Sequence, residues 1–207
     1  GIYNLYQLRN IPINILKREF GEFESNFLKN IGLGLDSDSL NSFTSSPDVK
    51  SVGRNYCLPK NTYDKKIILQ NIYELCEEVG IKLRRLNKKA RTIGISLRGN
   101  FSIHGRKTYQ QYFDTGKEIF TACLSLSSSH LSGGNSVYVR QIGIWVSGLE
   151  DFQNTPLSLF DIDNKKEKVQ KTIDEINERF GDHTIRNGFL LYADKLTTVP
   201  NGYTARL

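Results

Sequence analysis

One apolar repeat in the middle of the chain constrains the fold more than any other feature of the sequence. Its members recur at intervals of three or four residues: Ile68, Ile72, Leu75, Val79, Leu83 and Leu86. This spacing, kept over several turns, lines one face of a helix with apolar side chains. Thr62 and Asp64 stand just before the repeat and belong to the residue types that cap helix N-termini. The sequence therefore predicts a long amphipathic helix packed on a core.

Segments with strand character surround this helix. Residues 49–58 precede it, residues 89–98 follow it, an extended piece covers about 106–113, and an apolar run covers 137–149. A second helix, which Asp114 or Thr115 can cap, is predicted between the last two strands. The order strand, helix, strand, strand, helix, strand predicts an α+β domain, with a four-stranded sheet and both helices on one face.

The flanking segments are of a different kind. Residues 1–35 read as short helices, and the Ser- and Asp-rich stretch that follows reads as a linker. Beyond Glu150 comes an irregular stretch and then one amphipathic helix, whereas the residues from Asp182 onward lack a clear period. We therefore divide the chain at the following boundaries: 1–46, helices and linker; 47–150, the sheet domain; 151–164, a second linker; 165–207, a C-terminal tail.

The positive charge of the chain is concentrated in the sheet domain. Residues 49–150 hold sixteen Lys and Arg against seven Asp and Glu, whereas the segments before and after it are slightly acidic, with four against six and eight against nine. This concentrated excess favours a polyanionic partner.

Strand alternation predicts what the face opposite the helices presents. Apolar residues such as Ile93, Ile95 and Leu97 take the core phase, and small or polar residues take the other. The predicted outward residues are Ser51, Gly53, Asn55, Cys57, Thr92, Gly94, Ser96, Arg98, Gln141, Gly143, Trp145 and Ser147. Small polar residues let a phosphate backbone approach closely, and nearby cations supply charge.

Two other interpretations of this face remain. An ordinary solvated sheet face would show the same alternation. An RNA-recognition module has a similar strand order, but it stacks bases on aromatic residues of a characteristic motif that is absent here. Trp145 is the only large aromatic residue predicted on the face, so base stacking is not the obvious mode of binding.

Four separated motifs resemble a known family. They are SVGRNYCLP at 51–59, YELCEEVGIKLRRLNKKARTI at 73–93, GRKT at 105–108 and VRQIGIWVSGLE at 139–150. Together they resemble the little-finger domain of Y-family (translesion) DNA polymerases. GIYNLYQL and KREFGEFESNFLKNIGLGLDSD, which precede them, resemble the later part of the polymerase thumb. The overall likeness is to bacterial DNA polymerase IV or a related UV-damage repair polymerase.

The resemblance implies that Ser51, Gly53, Arg54, Arg106 and Arg140 contact phosphates of the template-primer duplex. Thr92, Arg98 and Lys107 join them as candidate contacts. Arg54 and Arg140 fall on the core-facing phase of their strands, so we expect a bulge or a sideways reach to bring each guanidinium to the rim.

A second partner is implied by PLSLFD at 156–161, which resembles the sliding-clamp-binding peptide of bacterial polymerases. Leu157, Leu159 and Phe160 are the expected anchors. The usual peptide begins with Gln, where this chain has Pro156, so one polar contact should be missing. The segment 174–185 resembles the tail that follows this peptide.

The sequence lacks a polymerase active site. Phosphoryl transfer needs strand-borne carboxylates that hold magnesium, and none are recognisable here. We therefore expect no catalytic residue and no cofactor in this chain, with magnesium held by the missing palm of a longer parent. The absence of methionine likewise indicates an excised piece or a sequence from which methionines have been lost. The competing hypothesis is a free-standing, non-enzymatic nucleic-acid-binding protein with a ferredoxin-like domain.

Other candidate chemistry is weak. Cys57, Cys76 and Cys123 have no metal-ligand spacing, and the histidines are scattered, so no metal site is predicted. Glu77 and Glu78 read as a solvated helix face. No apolar run has the length of a membrane span, and nothing suggests secretion, so we expect no membrane association and a cytoplasmic location.

Overall fold

A computed structural model describes residues 1–35, 48–131, 137–155, 161–181, 184–191 and 193, with side chains at 129–131 and 161–164 excepted. Its contacts divide the chain into two compact units, Gly1–Pro47 and Asp48–Leu207. The finer division of the second unit into domain, linker and tail stays a prediction. Within these residues, no helix has both the length and the apolar character required to cross a membrane.

The first unit is a pair of helices, α1 (Leu5–Asn10) and α2 (Ile13–Leu33). Leu8 and Leu16 are the large apolar side chains buried there. Lys29 holds the end of α1, because its Nζ donates hydrogen bonds to the carbonyls of Arg9 and Ile11 at 2.8 and 2.7 Å. The helical repeat predicted for this segment is present, but most of its apolar residues remain exposed.

The second unit contains one antiparallel sheet in the order β1-β4-β2-β3. Its strands are β1 (Ser51–Thr62), β2 (Lys88–Gly99), β3 (Ser102–Phe113) and β4 (Val139–Asp151). The helices α3 (Lys65–Arg85) and α4 (Gly116–Leu131) pack together on one face. This is the predicted α+β fold, a four-stranded sheet covered on one side by two helices.

The sequence specifies where α3 and α4 begin. The Asp64 carboxylate accepts hydrogen bonds from the backbone N–H groups of Lys66 and Ile67, at 2.8 and 3.4 Å, and so caps α3. Thr115 begins α4 with a reciprocal pair: its hydroxyl accepts from the Glu118 N–H and donates to the Glu118 carboxylate. Such caps satisfy N–H groups that have no partner within the helix.

One apolar core lies between the sheet and the two helices. The repeat on α3 meets Ile93, Ile95 and Leu97 of β2 and the matching residues of β4, nearly all of them fully buried. Cys76 and Cys123 lie in this core, as their positions in the helical stripes predict. Burial raises the pKa of the Cys76 thiol well above its usual range.

The C-terminal part of the chain adds α5 (Asp161–Phe180) to this unit. Arg84 of α3 forms a bidentate pair with Asp174, with N–O distances of 2.5 and 2.8 Å. Near the other end of α5, Lys89 of β2 pairs with Glu167 at 2.7 Å. Together with the exposed pair between Arg85 and Glu178, these ion pairs hold α5 against the helical side of the unit.

Residues 184–191 return to α3. The Glu74 carboxylate, 2% exposed, accepts a hydrogen bond from Arg186 at 2.8 Å, and Gln70 donates to the backbone carbonyl of Phe189 at 2.9 Å. Leu190 is buried, and the Phe189 ring packs edge-on against Tyr73. We name residues 184–191 the C-terminal latch, a feature that the sequence did not predict.

Candidate nucleic-acid interface

The face of the sheet opposite the helices is formed by four cross-strand rows. Strand pairing aligns the outward residues in the order β1, β4, β2, β3. The rows are Ser51–Ser147–Thr92–Thr108, Gly53–Trp145–Gly94–Arg106, Asn55–Gly143–Ser96–His104 and Cys57–Gln141–Arg98–Ser102. We name these residues the open face. None of them is Asp or Glu, so the face carries no carboxylate to repel a polyanion.

The middle of the open face is occupied by Trp145. Its indole ring lies directly on the backbone at Gly94, where a Cβ atom would come within 2.1 Å of Cε2. Only glycine tolerates so close an approach. The His104 ring stacks on Trp145, with centroids 4.8 Å apart and planes inclined by 27°.

Two arginines supply the charge of the open face. Arg98 lies between Gln141 and Ser102 in the row nearest the β2–β3 turn, and Arg106 ends the row that holds Trp145. Both are exposed, and neither forms an ion pair within the part of the chain that the structure describes. Their guanidinium groups are therefore available to an external anion.

Three cations on the helical side, Arg54, Arg84 and Lys89, are paired with acids. Arg54 pairs with Glu78 of α3 at 2.5 Å, and Arg84 pairs with Asp174. Burial alone would lower the pKa of Lys89, but the carboxylates of Glu167 and Asp114 outweigh it and raise that pKa. The ion pairs of Arg54, Arg84 and Lys89 thus lie toward α3 and α5, whereas the open-face arginines have no ion-pair partner among the described residues.

Ser51, Gly53 and Arg98 lie where the strand alternation places them, on exposed positions of the open face, and Arg106 is exposed on the same face. Thr92 takes the outward phase but is only 4% exposed, and its hydroxyl shares a hydrogen bond with Thr108 at 2.9 Å. The Thr92 hydroxyl is thus bonded within the sheet, and phosphate contact by Thr92 stays a prediction.

The structure places the remaining three candidates away from the open face. Arg54 lies on the helical side, and its charge is taken up by Glu78, which also corrects the interpretation of Glu78 as fully solvated. Arg140 is exposed near the start of β4, in the helical-side phase, and donates to the backbone carbonyl of Leu58. Lys107 is exposed on the edge strand β3, with its Nζ 5.2 Å from the centroid of the Tyr109 ring. Phosphate contact by these three stays a prediction.

His104 is an open-face residue that the sequence reasoning missed, as are Ser102 and Thr108. The third strand was predicted to begin near Arg106, whereas β3 begins at Ser102. Extending the alternation of β3 backward from Arg106 by two residues would have placed His104 on the same face. The expected clamp anchors lie outside the described residues; they are Leu157, Leu159 and Phe160. Among the described residues, no three His, Cys, Asp or Glu side chains are grouped so that they could hold a metal ion.

Comparison with known proteins connects this architecture to a family. Residues 49–159, more than half of the chain, match the family described as the impB/mucB/samB family C-terminal domain. The matched range begins just before β1 and includes the whole sheet with α3 and α4.

Curated relatives point the same way. The chain is 31% identical over 161 residues to a DNA polymerase IV of Alkaliphilus oremlandii, and 30% identical over 193 residues to the putative UV-damage repair protein UvrX of Bacillus subtilis. These alignments cover 71% and 89% of this chain, but only 39% and 45% of the relatives. The chain thus spans less than half the length of either.

A solved Y-family DNA polymerase chimera shares the fold, with a TM-score of 0.56 and 20% identity over 73% of this chain and 42% of that one. Sequence family, relatives and fold agree with the resemblance of the four motifs. The chain therefore belongs to the impB/mucB/samB family, and residues 49–159 match its C-terminal domain.

Proposed function

We propose that this chain is the DNA-gripping part of a translesion DNA polymerase, which holds the template-primer duplex through its phosphates without reading its sequence. The observation that carries the proposal is the sorting of charge across the sheet. The open face has no carboxylate, and its Arg98 and Arg106 have no ion-pair partner among the described residues, whereas Arg54, Arg84 and Lys89 on the helical side are each paired with an acid.

The composition of the open face favours backbone contact. Ser51, Gly53 and Asn55 are exposed and small, so a phosphate can reach hydroxyl, amide and main-chain groups there. A flat sheet does not place a helix or ribbon into the major groove, where base pairs are distinguished. We therefore expect similar affinities for unrelated duplexes.

The experiment is a titration of unrelated duplexes at several salt concentrations. Trp145 is the only tryptophan of the chain and lies on the open face, so its fluorescence reports binding directly. Affinity should fall as salt rises, with a logarithmic slope of about −0.9 for each phosphate neutralised. A strong preference for one duplex, or an affinity indifferent to salt, would contradict the proposal.

Docking to a bacterial sliding clamp is the second part of the proposal. The likeness of residues 156–161 to a clamp-binding peptide supports it. The segments on either side are both held near Lys89, whose Nζ lies 4.4 Å from the Phe152 ring centroid and 2.7 Å from a Glu167 oxygen. A clamp bound there would therefore be kept close to the DNA-binding domain, in the cytoplasm of a bacterial cell.

The competing hypothesis, a free-standing nucleic-acid-binding protein, predicts the same DNA binding. The two hypotheses make different predictions about the sequence that lies upstream of Gly1 in the parent gene. A coding region with acidic strand motifs of a polymerase palm supports the first, and a start codon immediately before Gly1 supports the second.

A further inference from the structure

The aromatic pair in the middle of the open face is not explained by phosphate contact. Phosphates bind cations, hydroxyls and N–H groups, whereas Trp145 places a large apolar ring among serines, glycines and asparagine. The residues beside Trp145 in its row, Gly53 and Gly94, have no side chains that could cover the ring.

The pair is also accessible. Trp145 keeps part of its surface in solvent, and His104, stacked on it, is exposed. Arg106 lies in the same row as Trp145, and Arg98 lies two residues beyond Ser96, the row neighbour of His104. Two aromatic rings are therefore bordered by cations that have no ion-pair partner within the described residues.

This combination fits a nucleobase with its phosphates better than a phosphate alone. Aromatic side chains stack on the flat faces of bases, and neighbouring cations hold the backbone on either side. Within a duplex, those base faces are covered by the adjacent base pairs. The faces of a base are free to stack on a side chain only where the strand is unpaired.

We propose that Trp145 and His104 form a stacking site for an unpaired DNA base, with Arg98 and Arg106 binding the flanking phosphates. The inference rests on the proposed DNA-binding function and extends it to single-stranded segments. It assigns Trp145 a contact that the small residues of the face cannot make.

A purely structural role for Trp145 makes a different prediction. If the indole only shields the backbone at Gly94, its removal should lower stability and affect all DNA ligands alike. Stacking should instead depend on whether the ligand has bases. An oligonucleotide of abasic residues has the same phosphate spacing as oligothymidine of equal length and lacks only the bases.

The test compares the affinities of the folded chain for oligothymidine, for the abasic oligonucleotide and for a blunt duplex. We expect oligothymidine to bind about tenfold more tightly than the abasic strand, with quenching of Trp145 fluorescence. Trp145→Ala and His104→Ala should each bring this ratio toward one, and Trp145→Phe should restore part of it. Phe180→Ala removes an exposed aromatic ring from α5 and should leave the ratio unchanged.

The outcomes separate the two proposals. Equal affinity of the original chain for thymidine and abasic strands, with duplex binding intact, overturns the stacking site alone. Failure to bind any of the three ligands overturns the proposed function and the stacking site together. If Trp145→Ala does not fold, the ligand comparison on the original chain and on His104→Ala still distinguishes a stacking site from a purely structural role of Trp145.

Discussion

Arg186 and Glu74 form an ion pair that joins the C-terminal latch to the buried face of α3. The Nη2–Oε2 distance is 2.8 Å, and the Arg186 Nε is buried without a hydrogen-bond partner among the described residues. Breaking a buried ion pair by removing one member costs about 3 kcal/mol or more.

Arg186→Ala should therefore lower the free energy of unfolding of the second unit by about 3 kcal/mol. Denaturant unfolding followed by circular dichroism measures it. Glu178→Ala is the matched control, because its pair with Arg85 is exposed and of the kind worth at most about 1 kcal/mol. Equal stability of Arg186→Ala and the original chain would show that the latch does not contribute to the fold.

The open-face arginines are predicted to bind phosphate. The double variant Arg98→Ala and Arg106→Ala should weaken binding to every duplex tested and reduce the salt slope by about 2, one for each phosphate that is no longer neutralised. Both side chains are exposed, so no cavity results and the variant should fold. Arg85→Ala removes an exposed arginine from the helical side and should leave binding unchanged. An unaltered salt slope in the folded double variant would exclude these arginines as phosphate ligands.

The clamp-binding prediction concerns Leu159 and Phe160. Replacing both with Ala should weaken binding to the cognate clamp at least tenfold, because a few apolar anchors dominate such peptide interfaces. Isothermal titration calorimetry measures the affinity, and Val169→Ala, an exposed apolar residue of α5, is the control. Duplex affinity should be retained. A double variant that binds the clamp as tightly as the original chain would reject the assignment.

Catalysis offers a separate check. The chain should add no nucleotide to a primed template in the presence of magnesium, because its sequence contains no recognisable set of palm carboxylates to hold the ion. Gel analysis of primer extension, with the original DNA as the blank, gives the result. Extension above that blank would contradict the expectation.

Alkaline pH should destabilise the second unit through Tyr73. Burial, and then the nearby Glu77 carboxylate, raise the pKa of Tyr73 above its ordinary value of 10.0. As pH rises above 10.0, the unfolded chain loses this proton before the native state does, so the free energy of unfolding falls. The fall should be smaller in Tyr73→Phe than in Tyr63→Phe, which removes an exposed hydroxyl. Equal falls in both variants would contradict this origin.

The features that could be predicted from the sequence are those with strong local periods. The stripe on α3 and the alternation of β2 contrast apolar with polar residues over short distances, so each strand and helix shows which side is buried. The Asp64 cap is likewise encoded within four residues.

The features that could not be predicted depend on residues far apart in the chain. Arg54 forms an ion pair with Glu78 on α3. The family resemblance implied a phosphate contact for Arg54 and did not indicate this pair. The latch is held by a few single contacts, such as Leu190 in the core and Phe189 against Tyr73, which produce no period. The pairing of His104 with Trp145 depends on where β3 begins, and strand ends are set by tertiary contacts.

The strand order also determines how the second unit can assemble. β2 and β3 are joined by a short turn and pair with each other, so we expect this hairpin to form early. Within the described part of the chain, β1 has only β4 as a neighbour, and Ser51 pairs with Ser147, so the first strand of the sheet to be synthesised must wait for the last. Closing so long a loop makes folding slow. During synthesis, β1 therefore stays unpaired for longer than the other strands of the sheet, and it must avoid aggregation for all of that time.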